Sequence, residues 1–191
     1  ERSTSLQLYS ALHSTSSTPS LRLAGFNPQA LANTVWAYAT AVVAEDALYA
    51  AVAEAAVRRG GLAGFNAQEL SNTVWAYAAA NRRLPLPVAD CSRVISDSLA
   101  QDPARWGVEA RAQLHQWQLK LFLERGAEAQ QYLLSNSQRQ LCCDAMQAQG
   151  TQVTISRLQR SVADSLATVR YGLKEEYLEP RTGYSLDLAL P

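Results

Sequence analysis

A segment of fifteen residues occurs twice in this 191-residue chain. Residues 25–39 have the sequence GFNPQALANTVWAYA and residues 64–78 have the sequence GFNAQELSNTVWAYA, so twelve positions are identical at an offset of 39 residues. A fixed period of this length is typical of helical repeat arrays, in which each unit is one small group of helices. The duplication therefore predicts successive units that share one way of packing.

Both copies begin with the residues of a helix start. Asn27 and Asn66 are favourable N-caps, and Pro28 suits the first helical position because its missing N–H has no partner there. Glu69 stands three residues after Asn66, where its carboxylate can reach back to the cap. Apolar residues then recur at helical spacing in the first copy: Leu31, Val35, Tyr38 and Ala39. Each copy is predicted to form an amphipathic helix.

A second amphipathic segment follows each copy. In residues 44–61 the apolar stripe consists of Leu48, Val52 and Ala56, and Gly60–Gly61 marks the end of the helix. Residues 88–101 follow a break at Pro85 and Pro87 and carry an equivalent stripe of Cys91, Val94, Ile95 and Leu99. Each unit is therefore predicted to be helix–turn–helix.

The rest of the chain lacks the motif but keeps helical and strand patterns. A degenerate third unit begins near Trp106, places Leu114 where the second copy has Leu70, and ends at Gly126. Further helices are predicted at residues 127–134, 137–149 and 154–170, the last with an apolar face of Ile155, Leu158, Val162, Leu166 and Val169. An alternating pattern after residue 171 predicts a hairpin, whose sheet we expect to be completed beyond Pro191 or on a partner.

These patterns predict an all-α fold of helix–turn–helix repeats with a period of about 39 residues, followed by a small truncated β-hairpin. The predicted organisation is the end of a preceding helical repeat and a linker at 1–24, repeat one at 25–63, repeat two at 64–101, a degenerate repeat at 102–126, a helical connector at 127–170 and the hairpin at 171–191.

Composition excludes several classes of function. The formal net charge is zero, which argues against a domain held on nucleic acid by bulk charge but leaves a local basic face possible. We found no catalytic, metal-ligand or phosphate-loop motif and no apolar run of the ~18 residues that a membrane span needs. His115 is expected on a helix surface. The sequence predicts no enzyme activity, no cofactor, no metal, no membrane contact and no small-molecule substrate.

The repeated FNPQALANTVWAYA motif, at this spacing, resembles the octotricopeptide repeat proteins, a family abundant in green algae. The resemblance covers residues 25–101 well and 102–126 loosely. It implies a right-handed superhelix of paired helices that binds RNA inside a mitochondrion or chloroplast. Members of the family act in organellar RNA maturation, stability or translation, and some are parts of organellar ribosomes.

Residues 154–191, with ISRLQRSVADSLATV and EEYLEPRTGYSLDLALP, resemble the approach to a RAP domain and its first strand. That domain commonly follows such repeats and is similar to restriction-endonuclease-like folds. Its acidic cluster comes after the first strand, whereas Asp187 stands alone in this sequence. The resemblance therefore implies an incomplete RAP-like hairpin, and we expect no nuclease activity from this chain.

Comparison of the two copies separates fold-specifying positions from candidate RNA contacts. Identical aromatic pairs, such as Trp36/Trp75 and Tyr38/Tyr77, are expected to pack the helices together. An identical asparagine pair serves either packing or base recognition, because an amide can hydrogen-bond a base edge. The candidates are the polar stripe beside the buried face and the polar members of the pairs that differ: Gln29, Asn33, Thr40, Gln68, Glu69, Asn72 and Asn81.

Two arginine pairs are candidates for phosphate contacts: Arg58–Arg59 and Arg82–Arg83. Each pair closes a predicted helix, where the helix dipole by itself favours cations. The alternative interpretation is therefore that they are solvated caps. Arg22, Arg105, Arg111 and Arg125 are weaker candidates of the same kind.

The main functional hypothesis is an imported RNA-binding protein of a mitochondrion or chloroplast. Because two and a half repeats without net charge give little free affinity for RNA, we expect a component held partly by neighbouring proteins, as in an organellar ribosome. One alternative is a free factor for RNA maturation, stability or translation. The other is a protein-binding helical scaffold without RNA contact.

Overall fold

The computed structural model describes residues 23–84, 86–150, 155–169 and 172–190. These residues form seven α-helices and one two-stranded antiparallel sheet: α1 (Pro28–Thr40), α2 (Asp46–Arg58), α3 (Ala67–Ala79), α4 (Val88–Gln101), α5 (Val108–Arg125), α6 (Asn136–Gly150), α7 (Arg157–Ala167), β1 (Lys174–Leu178) and β2 (Ser185–Ala189). Short 3₁₀ turns lie at Leu23–Gly25, Pro103–Arg105 and Gly126–Tyr132. The prediction of a mainly helical fold with a terminal hairpin is confirmed, and the helix expected before residue 23 lies outside the described residues.

The predicted helix starts are confirmed. The Asn27 Oδ1 atom accepts a hydrogen bond from the Ala30 N–H at 2.8 Å. In the second copy Asn66 Oδ1 accepts from the Glu69 N–H at 3.0 Å, and Glu69 Oε2 accepts from the Asn66 N–H at 2.8 Å. This reciprocal pair is a capping box, which satisfies two backbone donors that the helix itself leaves unpaired.

The first three helices end with the same backbone geometry. After α1, Val42 has φ +56° and the Val43 N–H donates to the Tyr38 carbonyl at 3.0 Å. After α3, Asn81 has φ +53° and the Arg82 N–H donates to the Tyr77 carbonyl at 2.8 Å. Gly60 has φ +86° at the equivalent position after α2. This left-handed ending suits Gly and Asn, whereas the β-branched Val42 is strained in it.

Exchange of these residues between the copies should change stability in opposite directions. Val42→Asn is expected to raise the free energy of unfolding by about 0.5–1 kcal/mol, because Asn tolerates the left-handed region better than Val does. Asn81→Val should lower it by about 1 kcal/mol or more, since it adds strain and removes the acceptor of Lys120. Thermal denaturation measures both. A lower melting temperature for Val42→Asn would contradict the strain at Val42.

The first helices of the units contact one another in sequence order. Helix α1 contacts α3, α3 contacts α5, and α5 contacts α6, while α2 contacts α1 and α4 contacts α3. Leu31 and Leu70 are each the fourth residue of their helix, whereas Leu114 is the seventh residue of α5, and all three are 0% exposed. Leu114 is therefore buried like Leu70, but it lies about one turn farther along its helix. One cluster of buried side chains extends from Leu23 to Cys142.

Identical aromatic residues have different surroundings in the two copies. Tyr77 is 2% exposed, and its hydroxyl donates to the Tyr49 carbonyl at 2.6 Å. Tyr38 and Trp36 are 36% and 38% exposed. The expectation that the aromatic pairs pack the helices together is confirmed for Tyr77, whereas Tyr38 and Trp36 lie at the surface. Helix α3 is covered on both sides, by α1 and by α5. Within the described residues, α1 is covered by α3 on one side only.

The C-terminal helix and hairpin differ from the prediction in their packing. Helix α7 is shorter than the predicted 154–170, of which 154 and 170 lie outside the described residues. On its predicted apolar face Leu158, Val162, Leu166 and Val169 are exposed, and Ala163 is buried instead. The hairpin pairs Tyr177 with Leu186 and Glu175 with Leu188.

His115 connects the hairpin to the helices. Its Nε2–H donates to the Thr182 carbonyl, which lies 2.6 Å away in the hairpin turn, and the side chain is 8% exposed. The prediction that His115 lies on a helix surface is therefore wrong. The sequence pattern of α5 alone could not reveal this contact, because Thr182 comes 67 residues later.

No helix in the described part of the chain is long and apolar enough to cross a membrane.

Candidate nucleic-acid interface

A groove with a volume of about 570 Å³ crosses the first helices of the three units. Asn33 and Trp36 contribute from α1, Gln68 and Asn72 from α3, and Glu109 and Gln113 from α5. Three of these residues, Asn33, Gln68 and Asn72, belong to the polar stripe that the sequence predicts. The structure thus brings together amide side chains from successive units on one continuous surface.

The amides at the centre of the groove are held in place. Gln68 Nε2 donates to Asn72 Oδ1 at 2.8 Å, and Asn72 is only 6% exposed. The Gln113 Oε1 atom is buried and has no hydrogen-bond partner among the described residues. Asn33 is exposed on α1, beside Trp36. The groove therefore offers ordered amide groups and an aromatic face, which are the groups that proteins use to bind unpaired bases.

Helices α3 and α5 run in the same direction along this surface. The Trp75 indole N–H donates to Gln116, and farther along both helices Lys120 Nζ donates to Asn81 Oδ1 at 2.6 Å. On both helices the groove residues come first in the chain. The contact between Lys120 and Asn81 follows near the C-terminal ends of the two helices.

A basic cluster lies at the C-terminal ends of α3 and α5. Arg82, Arg83, Lys120 and Arg125 surround one small cavity there, together with Glu124. Arg82 pairs with Asp46 at 2.5 Å, and Lys120 pairs with Glu124 at 3.3 Å. Arg83 has no ion-pair partner in the residues that the structure describes. Because four cations line one cavity, this cluster is the better candidate for phosphate contacts.

The other predicted arginine pair lies at the end of α2. Arg58 pairs with Glu54 on the same helix, and Arg59 donates to the Phe26 carbonyl. Both side chains are exposed, and neither lines the groove. Exposed ion pairs contribute about 0–1 kcal/mol, so these contacts compete only weakly with a phosphate group. The structure separates the two arginine pairs that the sequence presents as equivalent.

Four further predicted residues lie outside the groove. Glu69 is engaged in the capping box, and Asn81 occupies the left-handed helix ending and accepts from Lys120. The Thr40 hydroxyl donates to the Trp36 carbonyl of its own helix at 2.8 Å. Gln29 is exposed in the first turn of α1. Local backbone structure thus accounts for Glu69 and Asn81, two of the positions at which the copies differ.

The two copies of the motif do not reveal the groove residues on α5 or Lys120. The motif is absent from the third unit, so Glu109 and Gln113 have no identical counterparts that would mark them. Gln113 does precede the buried Leu114 by one residue, which places it beside the core face of α5. That position is the one signal in the sequence that points to Gln113.

Comparison with known proteins assigns no function to these residues. The groove, the basic cluster and the repeated motif are therefore the features from which function is inferred. The chain matches no family model, no curated protein and no solved structure.

Proposed function

We propose that this protein is an RNA-binding helical-repeat protein of a mitochondrion or chloroplast, built into a ribonucleoprotein such as the organellar ribosome. The observation that carries the proposal is the groove that joins amides of three successive units, Asn33, Asn72 and Gln113. Its units would form the right-handed superhelix of octotricopeptide repeat proteins, and its terminal hairpin the start of a RAP-like domain. The row of contacts from α1 through α3 to α5 supports this arrangement.

In the proposed complex, single-stranded RNA follows the groove across the first helices. The amide side chains hydrogen-bond base edges, and the exposed ring of Trp36 gives a base a surface on which to stack. Phosphates approach the basic cluster at the ends of α3 and α5. Because an amide both donates and accepts hydrogen bonds, each position of the groove can bind more than one kind of base. In the proposed complex, the preference at each position is set by the amide side chain that contacts the base there.

A built-in component is favoured over a free factor by the charges of the chain. Each phosphate contact gains free energy by releasing counterions, and this requires available cations. The formal net charge is zero, so the chain has no excess of cations to supply. The exposed apolar face of α7 supports neighbouring proteins as additional partners.

RNA binding is tested with a labelled single-stranded oligonucleotide and fluorescence anisotropy, over about 50 to 200 mM salt. We expect weak binding that decreases in affinity as salt rises. Asn33→Leu combined with Gln113→Leu should weaken binding at least about tenfold, since two polar side chains that line the groove are removed. Gln29→Leu is the matched control, because Gln29 lies on α1 outside the groove.

The two arginine pairs give a second matched comparison. Replacing Arg82 and Arg83 by Ala should lower the slope of log affinity against log salt by about 0.7 for each phosphate that is no longer neutralised. The same change at Arg58 and Arg59 should leave the slope nearly unchanged. Absence of RNA binding by the wild-type chain at low salt excludes the free factor. Crosslinking within the native particle to protein alone would favour the scaffold.

A further inference from the structure

A separate pocket of about 380 Å³ lies between α5 and α6, away from the groove residues. Gln118 and Phe122 line it from α5, and Arg139 lines it from α6. Its volume falls within the range of about 300–1,000 Å³ that is usual for sites that bind small molecules. The lining combines one aromatic ring, several amides and one guanidinium group.

Gln118 supplies a hydrogen-bond donor that has no partner in the described part of the chain. The side chain is 5% exposed, and its Oε1 atom accepts from the Leu134 N–H at 2.8 Å. This bond fixes the amide orientation, because the flipped amide would place two donors against each other. The Nε2 atom is then buried with no acceptor among the described residues. A buried unpaired donor is costly, so a ligand carbonyl that accepts from Nε2 would stabilise the site.

The pocket also favours a negative group. Arg139 is the one arginine among the described side chains that line this pocket, which include no Asp, Glu or Lys, and it donates to the neutral amide of Asn136. Burial raises the pKa of Cys142 to about 12 and also raises the pKa of Cys143. Both thiols are therefore neutral near pH 7 and add no competing anion. Guanidinium groups of this kind bind phosphate through paired N–H donors.

Phe122 adds a stacking surface at the edge of this pocket. Its side chain is large and apolar, yet 48% of its surface is exposed. An exposed aromatic ring next to a polar pocket is suited to the face of a base, because every base has a π surface. A buried amide donor, a stacking ring and a guanidinium group are together the three contacts that a nucleotide needs.

We propose that this pocket binds one nucleotide whose base carries a ring carbonyl, as uracil, cytosine and guanine do. The base carbonyl accepts from Gln118 Nε2, the base stacks on Phe122, and the phosphate contacts Arg139. Adenine offers ring nitrogens in place of a carbonyl oxygen, and because each of them has a single in-plane lone pair, we expect adenine to accept from Nε2 less readily. The nucleotide is either free or one residue of an RNA chain, and the site does not depend on RNA binding in the groove.

Calorimetric titration of the whole chain with UMP, GMP, AMP and uridine tests the proposal. We expect UMP and GMP to bind at least about threefold more tightly than AMP. Gln118→Glu keeps the acceptor for Leu134 but removes the donor, and it should weaken UMP binding about tenfold or more. Gln131→Glu is the matched control, because Gln131 is exposed nearby and does not line the pocket. Arg139→Gln should weaken UMP binding and leave uridine binding unchanged.

The source of the nucleotide is distinguished by a short oligouridylate. Binding of UMP identifies a free nucleotide, whereas Gln118-dependent binding of the oligonucleotide alone identifies an RNA residue. If circular dichroism shows that Gln118→Glu does not fold, binding of UMP is measured with Phe122→Leu and Arg139→Gln instead. The proposal is overturned if neither ligand binds, if AMP binds as well as UMP, or if these variants bind like wild type. RNA binding that depends on Asn33 and Gln113 but not on Gln118, together with no binding of UMP, would overturn the pocket and leave the groove intact.

Discussion

Tyr77→Ala should lower the free energy of unfolding by about 3–5 kcal/mol, whereas Tyr38→Ala should lower it by less than about 1 kcal/mol. The two tyrosines occupy the same position in the two copies of the motif. Tyr77 is 2% exposed and packs edge to face on Tyr49, with ring centroids 5.4 Å apart. Tyr38 lies at the surface, so its removal leaves no large cavity. Urea denaturation of both variants measures the difference.

The hydroxyl group of Tyr77 can be tested separately from its ring. Tyr77→Phe removes the donor to the Tyr49 carbonyl and should cost about 1–2 kcal/mol. The ring then accounts for the rest of the destabilisation in Tyr77→Ala. Equal destabilisation by Tyr38→Ala and Tyr77→Ala would contradict the different burial of the two copies.

Leu114→Ala should lower the free energy of unfolding by about 2–5 kcal/mol, and Leu123→Ala should change it by less than about 0.5 kcal/mol. Both residues lie on α5, where Leu114 is 0% exposed and Leu123 is 79% exposed. The pair is a matched control, because the same atoms are removed from the same helix. Urea denaturation followed by circular dichroism measures both changes.

Leu114 also tests whether the degenerate unit shares the core of the two clear units. Leu114 belongs to the same buried cluster as Leu31 and Leu70. Since that cluster is continuous, we expect a single transition that moves to lower urea concentration as a whole. A separate early transition in Leu114→Ala would mean that α5 and α6 unfold independently of the clear units.

Much of the fold follows from local sequence signals. Asn27 and Asn66 cap their helices as predicted, and the interval Val88–Gln101 of α4 agrees with the predicted segment. These features depend on residues close together in the chain. Burial depends on which helices are neighbours, and for that reason the sequence does not predict the exposure of Trp36 or the contact between His115 and Thr182.

The candidate site is predictable to a smaller extent. The copies identify Asn33, Gln68 and Asn72, because the motif marks the same face of α1 and α3. Gln113 and Lys120 could not be found in this way. The packing of α5 on α3 determines which residues of α5 lie beside α3, and the sequence of α5 alone does not show it. Glu69 shows the opposite case, since a residue that differs between copies has a capping role.

The placement of α3 between α1 and α5 has a consequence for how such a protein can change in length. If one unit is duplicated in tandem, the first helix of the new unit packs against the first helix of the old one. The old helix already packs against a helix of that sequence. No new interface has to evolve, so one genetic event can lengthen the binding surface. Substitutions can then accumulate in the added unit while its central leucine stays buried. Helix α5 packs on α3 and buries Leu114 without the motif, as an added unit that has diverged would.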